Sequence, residues 1–228
     1  MMNKEQIEFE KKLAGEKAAE FVKDGMTIGL GTGSTVYYAI MKIGEMVKQG
    51  LNISAVSSSN ATSELSKSLN IPLTGIDDAE KINLNIDGAD EVDKNLNGIK
   101  GGGGALLFEK IVAFKSETNI WIVDSGKLSG RPWKFPLPVE IIPFGSSSTL
   151  SRIREKNFMP ELRKKEGKIF LTDSGNYIAD IRMEENRDLE ATDKELKMIT
   201  GVVETGVFID IADILIIGQD NGTKILKK

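Results

Sequence analysis

The chain has 228 residues, 40% of them hydrophobic, enough for one large core or two unequal ones. Lys and Arg number 30 against 34 Asp and Glu, a net charge of -4, which excludes the global basic field of a nucleic-acid binder and leaves any anionic ligand to a local device. Cysteine and histidine are both absent, which removes disulfides, thiolate metal sites and the commonest general acid-base, so proton transfer must use carboxylates, lysines or tyrosines.

The N-terminal stretch "MMNKEQIEFEKKLAGEKAAEF" is charged and helical in pattern, without the apolar core of a signal peptide. No later apolar run approaches the ~20 residues of a membrane span, so the expectation is a cytoplasmic protein with no membrane partner. A helix is predicted over 4–23, then the strand "MTIGL" at 26–30, a glycine-rich turn and a helix over 34–49. The strand "NISAVSSS" follows, then a helix over 61–69, a short strand near 71–73 and the strand "INLNID" ending at Asp87. A helix over 105–114 precedes the strand "NIWIVD", which ends at Asp124. This alternation predicts an α/β fold, a Rossmann-like, mostly parallel sheet.

From Arg131 the texture changes, with three prolines in "RPWKFPLP". There follow "VEIIPF", a helix over 147–156, a hairpin-like pair in "KIFLTDSGNYIADIR" and a helix over 193–199. That order reads as β-α-β-β-α-β, a second, smaller ferredoxin-like α+β domain. The run "ADILIIG" at 212–218 then reads as a buried strand returning to the first sheet. The expected division is 1–130 with 208–228 as one domain and 131–207 as the other.

Three stretches bear chemistry. "GLGTGST" at 29–35 joins a strand to a helix, where glycines let backbone approach a ligand and the helix N-terminus offers N–H groups to an anion. With the hydroxyls of Thr32, Ser34 and Thr35 it suits a phosphate monoester; the competing reading is a tight turn with a capping serine and no ligand. Ser34 and Val36 stand where a dinucleotide fingerprint needs its third glycine, the next strand ends without an acid for a ribose, and no lysine follows as in a P-loop.

"DGADEVD" at 87–93 places Asp87 and Asp90 at the carboxyl edge of a strand, where they can accept hydrogen bonds from sugar hydroxyls or move protons. "DKNLNG" from Asp93 matches the opening of a calcium loop, but its twelfth position is Gly104 instead of a bidentate glutamate, and strand instead of helix precedes it. Glu91, Asp93 and Lys94 read as a solvated turn. "KGGGG" at 100–104 can form a nest of backbone N–H groups beside the Lys100 cation, suited to an oxyanion. On the following helix, Glu109 shares a face with Ala105, Leu106, Val112 and Ala113, and an apolar setting raises a carboxyl pKa toward that of a working base. A buried or snorkelling Glu109 and Lys110 arrangement is the alternative. "VDSGK" adds Lys127 at the end of the next strand.

Together, "GLGTGST", "AVSSS", "DGADEVD", "IKGGGGALLFEKIVA", "VDSGK" and "KFPLPVEIIP", in this order, resemble the ribose-5-phosphate isomerase A family. The resemblance implies a Rossmann-like domain with a ferredoxin-like one, a homodimer or homotetramer, and neither metal nor organic cofactor. It implies substrate binding by Thr32, Gly33, Ser34 and Thr35, by Asp87, Gly88, Ala89 and Asp90, by Lys100, Gly101, Gly102 and Gly103, and by Lys127. Glu109 falls on the catalytic glutamate, and Lys11 on an N-terminal phosphate-side lysine. Gly104 is one glycine more than the family pattern needs.

The implied reaction interconverts D-ribose 5-phosphate and D-ribulose 5-phosphate. Glu109 would move a proton between C2 and C1, Asp87 would assist ring opening, and Lys100 with the glycines would stabilise an enediolate. Another sugar-phosphate isomerase or an amino-sugar phosphate deaminase could use similar turns and carboxylates. A non-catalytic sugar-phosphate sensor would need a DNA-binding module, and the N-terminal helix has neither a helix-turn-helix pair nor a basic excess.

Overall fold

The computed structural model describes residues 3–128, 133–184 and 187–228, and its contacts divide the chain into two compact units. Arg131, where the texture of the sequence changes, lies outside the described residues.

The first unit comprises Met1–Ala89, Phe108–Leu128 and Asp210–Lys228. Its six-stranded sheet runs in the order Gly222–Lys227, Ile214–Gln219, Asn119–Asp124, Leu84–Gly88, Thr27–Leu30, Ser54–Ser57. Every neighbouring pair is parallel except Ile214–Gln219 with Gly222–Lys227. The chain goes from Thr27–Leu30 outward to Ser54–Ser57 and then returns to the other side, so the strand order reverses between Thr27–Leu30 and Leu84–Gly88. Ligands of open α/β sheets bind at the carboxyl ends of strands flanking such a reversal.

Strand alternation sorts the side chains of this sheet. Ile28, Leu30, Leu84, Ile86, Ile120 and Ile122 share one cluster with Ala14 and Ala18 of the helix Lys4–Ala19 and with Val36, Ala39, Ile40 and Ile43 of the helix Ser34–Lys48. Gly29, Asn85 and Asp87 occupy the alternate positions and so face the other way. There a Cβ on Gly29 would lie 2.7 Å from Val112 of the helix Leu106–Lys115, so that helix packs directly on the strand's backbone. Asn85 is buried at this interface and donates to Asn119 Oδ1 at 3.0 Å, while Asn119 donates to the Ala113 carbonyl at 3.1 Å. The polar pair thereby ties the last turn of the Glu109 helix to two strands, while Asn85 Oδ1 has no hydrogen-bond partner among the described residues.

The predicted short strand near 71–73 is reduced to an isolated bridge between Ala55 and Leu73. The edge strand Gly222–Lys227 is not predicted, because "GTKILK" is half polar and carries no clean alternation.

The second unit comprises Asp90–Leu107 and Ser129–Ile209. Its four-stranded sheet has the order Val202–Thr205, Leu137–Ile141, Tyr177–Ile181, Pro160–Leu162, all antiparallel. The helices Ser146–Glu155 and Leu189–Lys197 contribute Leu150, Ile153, Leu189 and Leu196 to the core formed with Val139, Ile141, Ala179 and Ile181. This is the β-α-β-β-α-β ferredoxin-like arrangement.

Two expectations need correction. The strand beside Tyr177–Ile181 is Pro160–Leu162, whereas Lys168–Ile169 pairs with Lys164–Lys165 in a separate small hairpin. A proline at the first position disguises Pro160–Leu162 as loop, although an edge strand tolerates it there. Residues 90–107 also make their contacts within the second unit: Glu91–Val92 pairs with Gly98–Ile99, which pairs with Val207–Phe208. Short main-chain ladders of this kind leave almost no signature in the sequence.

Gly218, at the end of the Ile214–Gln219 strand, lets the helix Lys4–Ala19 approach so closely that a Cβ there would lie 1.8 Å from the Glu10 carbonyl oxygen. Gly218→Ala is therefore expected to destabilise the fold by about 2–3 kcal/mol, since backbone is what must move. Urea unfolding of the variant beside the parent chain checks this.

Candidate active site

In the first unit the carboxyl ends of the strands Thr27–Leu30 and Leu84–Gly88 bring the glycine-rich turn against Asp87. The Asp87 carboxylate is buried, and its Oδ1 accepts from the Thr32 N–H at 3.2 Å and the Gly88 N–H at 2.7 Å. A Cβ on Gly31 would stand 1.9 Å from that oxygen, so only glycine permits the contact. Asp87 thus braces the turn as well as lining the strand ends, and a carboxylate held by backbone amides keeps a fixed direction.

Thr32 and Ser34 part company at this turn. The Thr32 hydroxyl lies 2.9 Å from Ser58 Oγ and donates to Ser59 Oγ at 2.8 Å, while Thr62 Oγ1 donates to the Gly31 carbonyl at 2.8 Å. Ser58, Ser59 and Thr62 therefore build a buried hydroxyl cluster under the turn. Their signal in the sequence was the run "SSSNAT" after a strand, which reads as a capped helix start, and Ser59 does cap the helix Asn60–Ser68. The helix Ser34–Lys48 starts where expected and lacks the capping serine of the competing reading. Its N-cap is Gly33 at φ 129°, with no side-chain cap and no acid in the first turn, so no capping serine closes it. Ser34 is exposed and Thr35 largely buried there. Uncapped first-turn N–H groups with a positive dipole end make an anion site.

Glu109 lies in the helix Leu106–Lys115, only 4% exposed, with Val112 and Ala113 buried one turn on. Lys110 is equally buried. The helix covers the sheet face toward which Asn85 and Asp87 point. Lys127 ends the short 3-10 turn Ser125–Lys127, capped by the Asp124 carboxylate on the Gly126 N–H at 3.1 Å. That turn has a second anchor absent from the expectations: the buried Glu10 accepts the Ser125 N–H at 2.8 Å. Lys11, next along the helix, donates to Glu8 at 2.7 Å. Glu8 also takes the Tyr38 hydroxyl at 2.8 Å, and these two donors lower its carboxyl pKa, that from Lys11 foremost.

In the second unit, Asp90 Oδ2 accepts the Gly102 N–H at 2.7 Å, and the Gly104 N–H donates to the Gly101 carbonyl at 2.9 Å. The glycine stretch is therefore a closed turn with two of its N–H groups used internally, not a fully open nest. Lys100 is 2% exposed; its backbone N–H donates to Gly206 O at 2.9 Å, and its ammonium lies 5.3 Å from the Phe208 ring centroid. Gly104 now has a reason: it holds φ 83°, and a Cβ there would lie 2.4 Å from the Phe170 ring.

Glu91 is not part of a solvated turn. It is buried and accepts the Lys134 and Phe135 N–H groups, each at 2.8 Å. Asp93 instead spends Oδ1 on the N–H groups of Asn95 and Asn97 at 2.8 and 2.9 Å, closing its own turn. Among the described residues no cluster of three or more acidic side chains is placed to hold a metal ion, and no helix is long and apolar enough to cross a membrane.

The family model for ribose 5-phosphate isomerase A, or phosphoriboisomerase A, matches residues 54–222. Ribose-5-phosphate isomerase A of Listeria monocytogenes serotype 4b is 49% identical over 222 residues, covering 96% of this chain and 99% of the relative. A solved D-ribose-5-phosphate isomerase in complex with phospho-erythronic acid superposes with a TM-score of 0.93 at 40% identity over the full length of both chains. The ribose 5-phosphate isomerase of Plasmodium falciparum matches with a TM-score of 0.93 at 38% identity, over 97% of this chain and 99% of the other. With a sheet reversal that gathers Asp87 and an uncapped helix N-terminus, a buried glutamate on the covering helix, and relatives matched from end to end, the chain belongs to the ribose 5-phosphate isomerase A family.

Proposed function

We propose that Glu109 is the base that carries a proton between C2 and C1 as this isomerase interconverts D-ribose 5-phosphate and D-ribulose 5-phosphate. The observation that carries this reading is Glu109 itself: a carboxylate 4% exposed on a short apolar helix that packs against the sheet face bearing Asp87. In a chain without histidine or cysteine, a carboxylate is one of the few side chains, with lysine and tyrosine, that can shuttle a proton at carbon.

The substrate's phosphate is assigned to the first turn of the helix Ser34–Lys48, where Gly33, Ser34 and Thr35 present N–H and hydroxyl donors, with Thr32 holding the turn through its buried hydroxyl contacts. Asp87, with Gly88 and Ala89 after it, takes the sugar hydroxyls and assists opening of the furanose ring by accepting the proton of the anomeric hydroxyl as the C1–O4 bond breaks and O4 takes a proton from solvent. In the open aldose, the Glu109 carboxylate removes the C2 proton, and the electron pair moves to form the C1–C2 double bond of a cis-enediolate. As the O2 hydroxyl proton passes to O1, the C2 carbonyl forms, and return of the carbon-bound proton from Glu109 to C1 gives the ketose. The charge that develops on oxygen is assigned to Lys100, to Gly101–Gly103 backbone and to Lys127, with Asp90 fixing the glycine turn. The phospho-erythronic acid bound by the similar solved enzyme joins a phosphate to a carboxylate, whose paired oxygens resemble those of an enediolate. This proton transfer needs no metal and no organic cofactor. The family resemblance further supports a cytoplasmic homodimer or homotetramer, with the base in the Rossmann-like part of the chain.

Glu109→Gln is expected to keep KM for ribose 5-phosphate within about threefold and to lower kcat by ~10²-fold or more. A coupled assay of ketulose formation with chelator present reads both constants, and a fully active variant would sink the assignment. Ser34→Glu places an anion at the helix N-terminus beside the assigned phosphate. It should raise KM by ~10-fold or more while changing kcat much less.

A further inference from the structure

The tetraglycine turn has a buttress in the second unit that none of the assignments above uses. Arg163 directly follows the edge strand Pro160–Leu162. Its N–H donates to Ile178 O at 2.8 Å and its carbonyl accepts the Phe170 N–H at 2.9 Å, so the backbone is fixed on both sides. Its guanidinium forks onto Asp180, Nε to Oδ2 at 2.9 Å and Nη2 to Oδ1 at 2.5 Å. The remaining nitrogen, Nη1, donates to the Gly101 carbonyl at 2.8 Å and the Gly102 carbonyl at 3.0 Å. Phe170 stacks within 5.9 Å of the guanidinium carbon and fills the space that a side chain at Gly104 would need.

Peptide planarity turns these contacts into a direction. In a trans peptide the C=O and the following N–H point opposite ways, so drawing the Gly101 and Gly102 carbonyls toward Arg163 aims the Gly102 and Gly103 N–H groups away from it. Asp90 takes the first of these at 2.7 Å. The second has no acceptor among the described residues. Glycine peptides resist rotation poorly, and a flipped Gly102–Gly103 peptide would present a carbonyl oxygen where an N–H stood. That reversal replaces a donor with a repulsive dipole toward developing negative charge.

We propose that Arg163, braced by Asp180, is a positioning residue for the isomerisation: it holds the carbonyls of the glycine turn back so that the Gly103 N–H, not a carbonyl oxygen, meets the enediolate. The inference rests on the assignment of Lys100 and Gly101–Gly103 to that charge. A lysine cannot replace the arginine, because one ammonium cannot fork onto Asp180 and reach both carbonyls at fixed angles.

The test compares Arg163→Lys, Asp180→Asn and Lys100→Met with the parent chain. The readouts are kcat per total chain, KM for ribose 5-phosphate, and the inhibition constant of phospho-erythronic acid, with the folded fraction measured beside them by circular dichroism. Arg163→Lys is expected to lower kcat by ~10- to 100-fold and to weaken the inhibitor by ~10-fold or more, with KM within about threefold. Asp180→Asn keeps the arginine and the volume, and should shift the same two constants in the same direction by a smaller factor, which decides the matter if Arg163→Lys does not fold. A folded Arg163→Lys with parental kcat and inhibitor affinity overturns the inference. So does a loss that merely follows the folded fraction, or, without that variant, a parental Asp180→Asn. Lys100→Met separates the two ideas: if it leaves kcat and inhibitor affinity unchanged, the assignment of the segment to the enediolate fails. If it impairs both while Arg163→Lys does not, only the role of Arg163 fails.

Discussion

The Asp87 carboxylate can rest over the first turn only because Gly31 has no side chain. A Cβ would stand 1.9 Å from its oxygen, while the same oxygen accepts two backbone N–H groups within hydrogen-bond distance. This close approach sets where the glycine-rich turn can go. It determines the direction of the following helix, and with it the orientation of the uncapped N–H groups at Gly33 and Ser34. The phosphate assignment therefore depends on a contact between one missing methyl and one buried acid.

Buried carboxylates do similar work elsewhere in the chain. Glu10 holds the turn that bears Lys127, Glu91 holds the backbone at Lys134 and Phe135, and Glu140 collects the hydroxyls of Thr172 and Ser174 and the amide of Asn176. Burying an ionised carboxylate costs several kcal/mol unless donors compensate, and a charged hydrogen bond returns about 1.5–3 kcal/mol. Each of these acids is thus paid for by fixing a loop, and the loops so fixed include those that carry candidate site residues. Glu109 has another setting: it is equally buried but carried within a helix, with Val112 and Ala113 buried one turn on.

Much of this was legible in the sequence. The parallel strands announce themselves as short β-branched runs bounded by turns, and "TIGL", "LNID" and "NIWIVD" lie close to where their patterns put them. The glycine turns and their neighbouring acids are equally plain, because only glycine permits such approaches and few folds need them in that order. Less visible were the elements whose identity is relational. Pro160–Leu162 and Lys168–Ile169 are comparably short, and the choice of partner for Tyr177–Ile181 falls to the first because Arg163 and Ile178 continue its ladder. Glu91 looked solvated because its acceptors' partners lie more than forty residues further on.

By itself the sequence determined which chemical groups are available: carboxylates and lysines in place of histidine, glycines where backbone must come close, and an apolar helix around one glutamate. Only the tertiary structure decided how those groups are spent. The tetraglycine reads as an open nest, yet Asp90 and Gly101 consume two of its N–H groups and Arg163 turns its carbonyls aside. Gly104 reads as superfluous until Phe170 is placed against it. Hydrogen-bond partners distant in the chain carry no local pattern, so the direction of a peptide, unlike the presence of a glycine, becomes defined only when the fold brings its partners together.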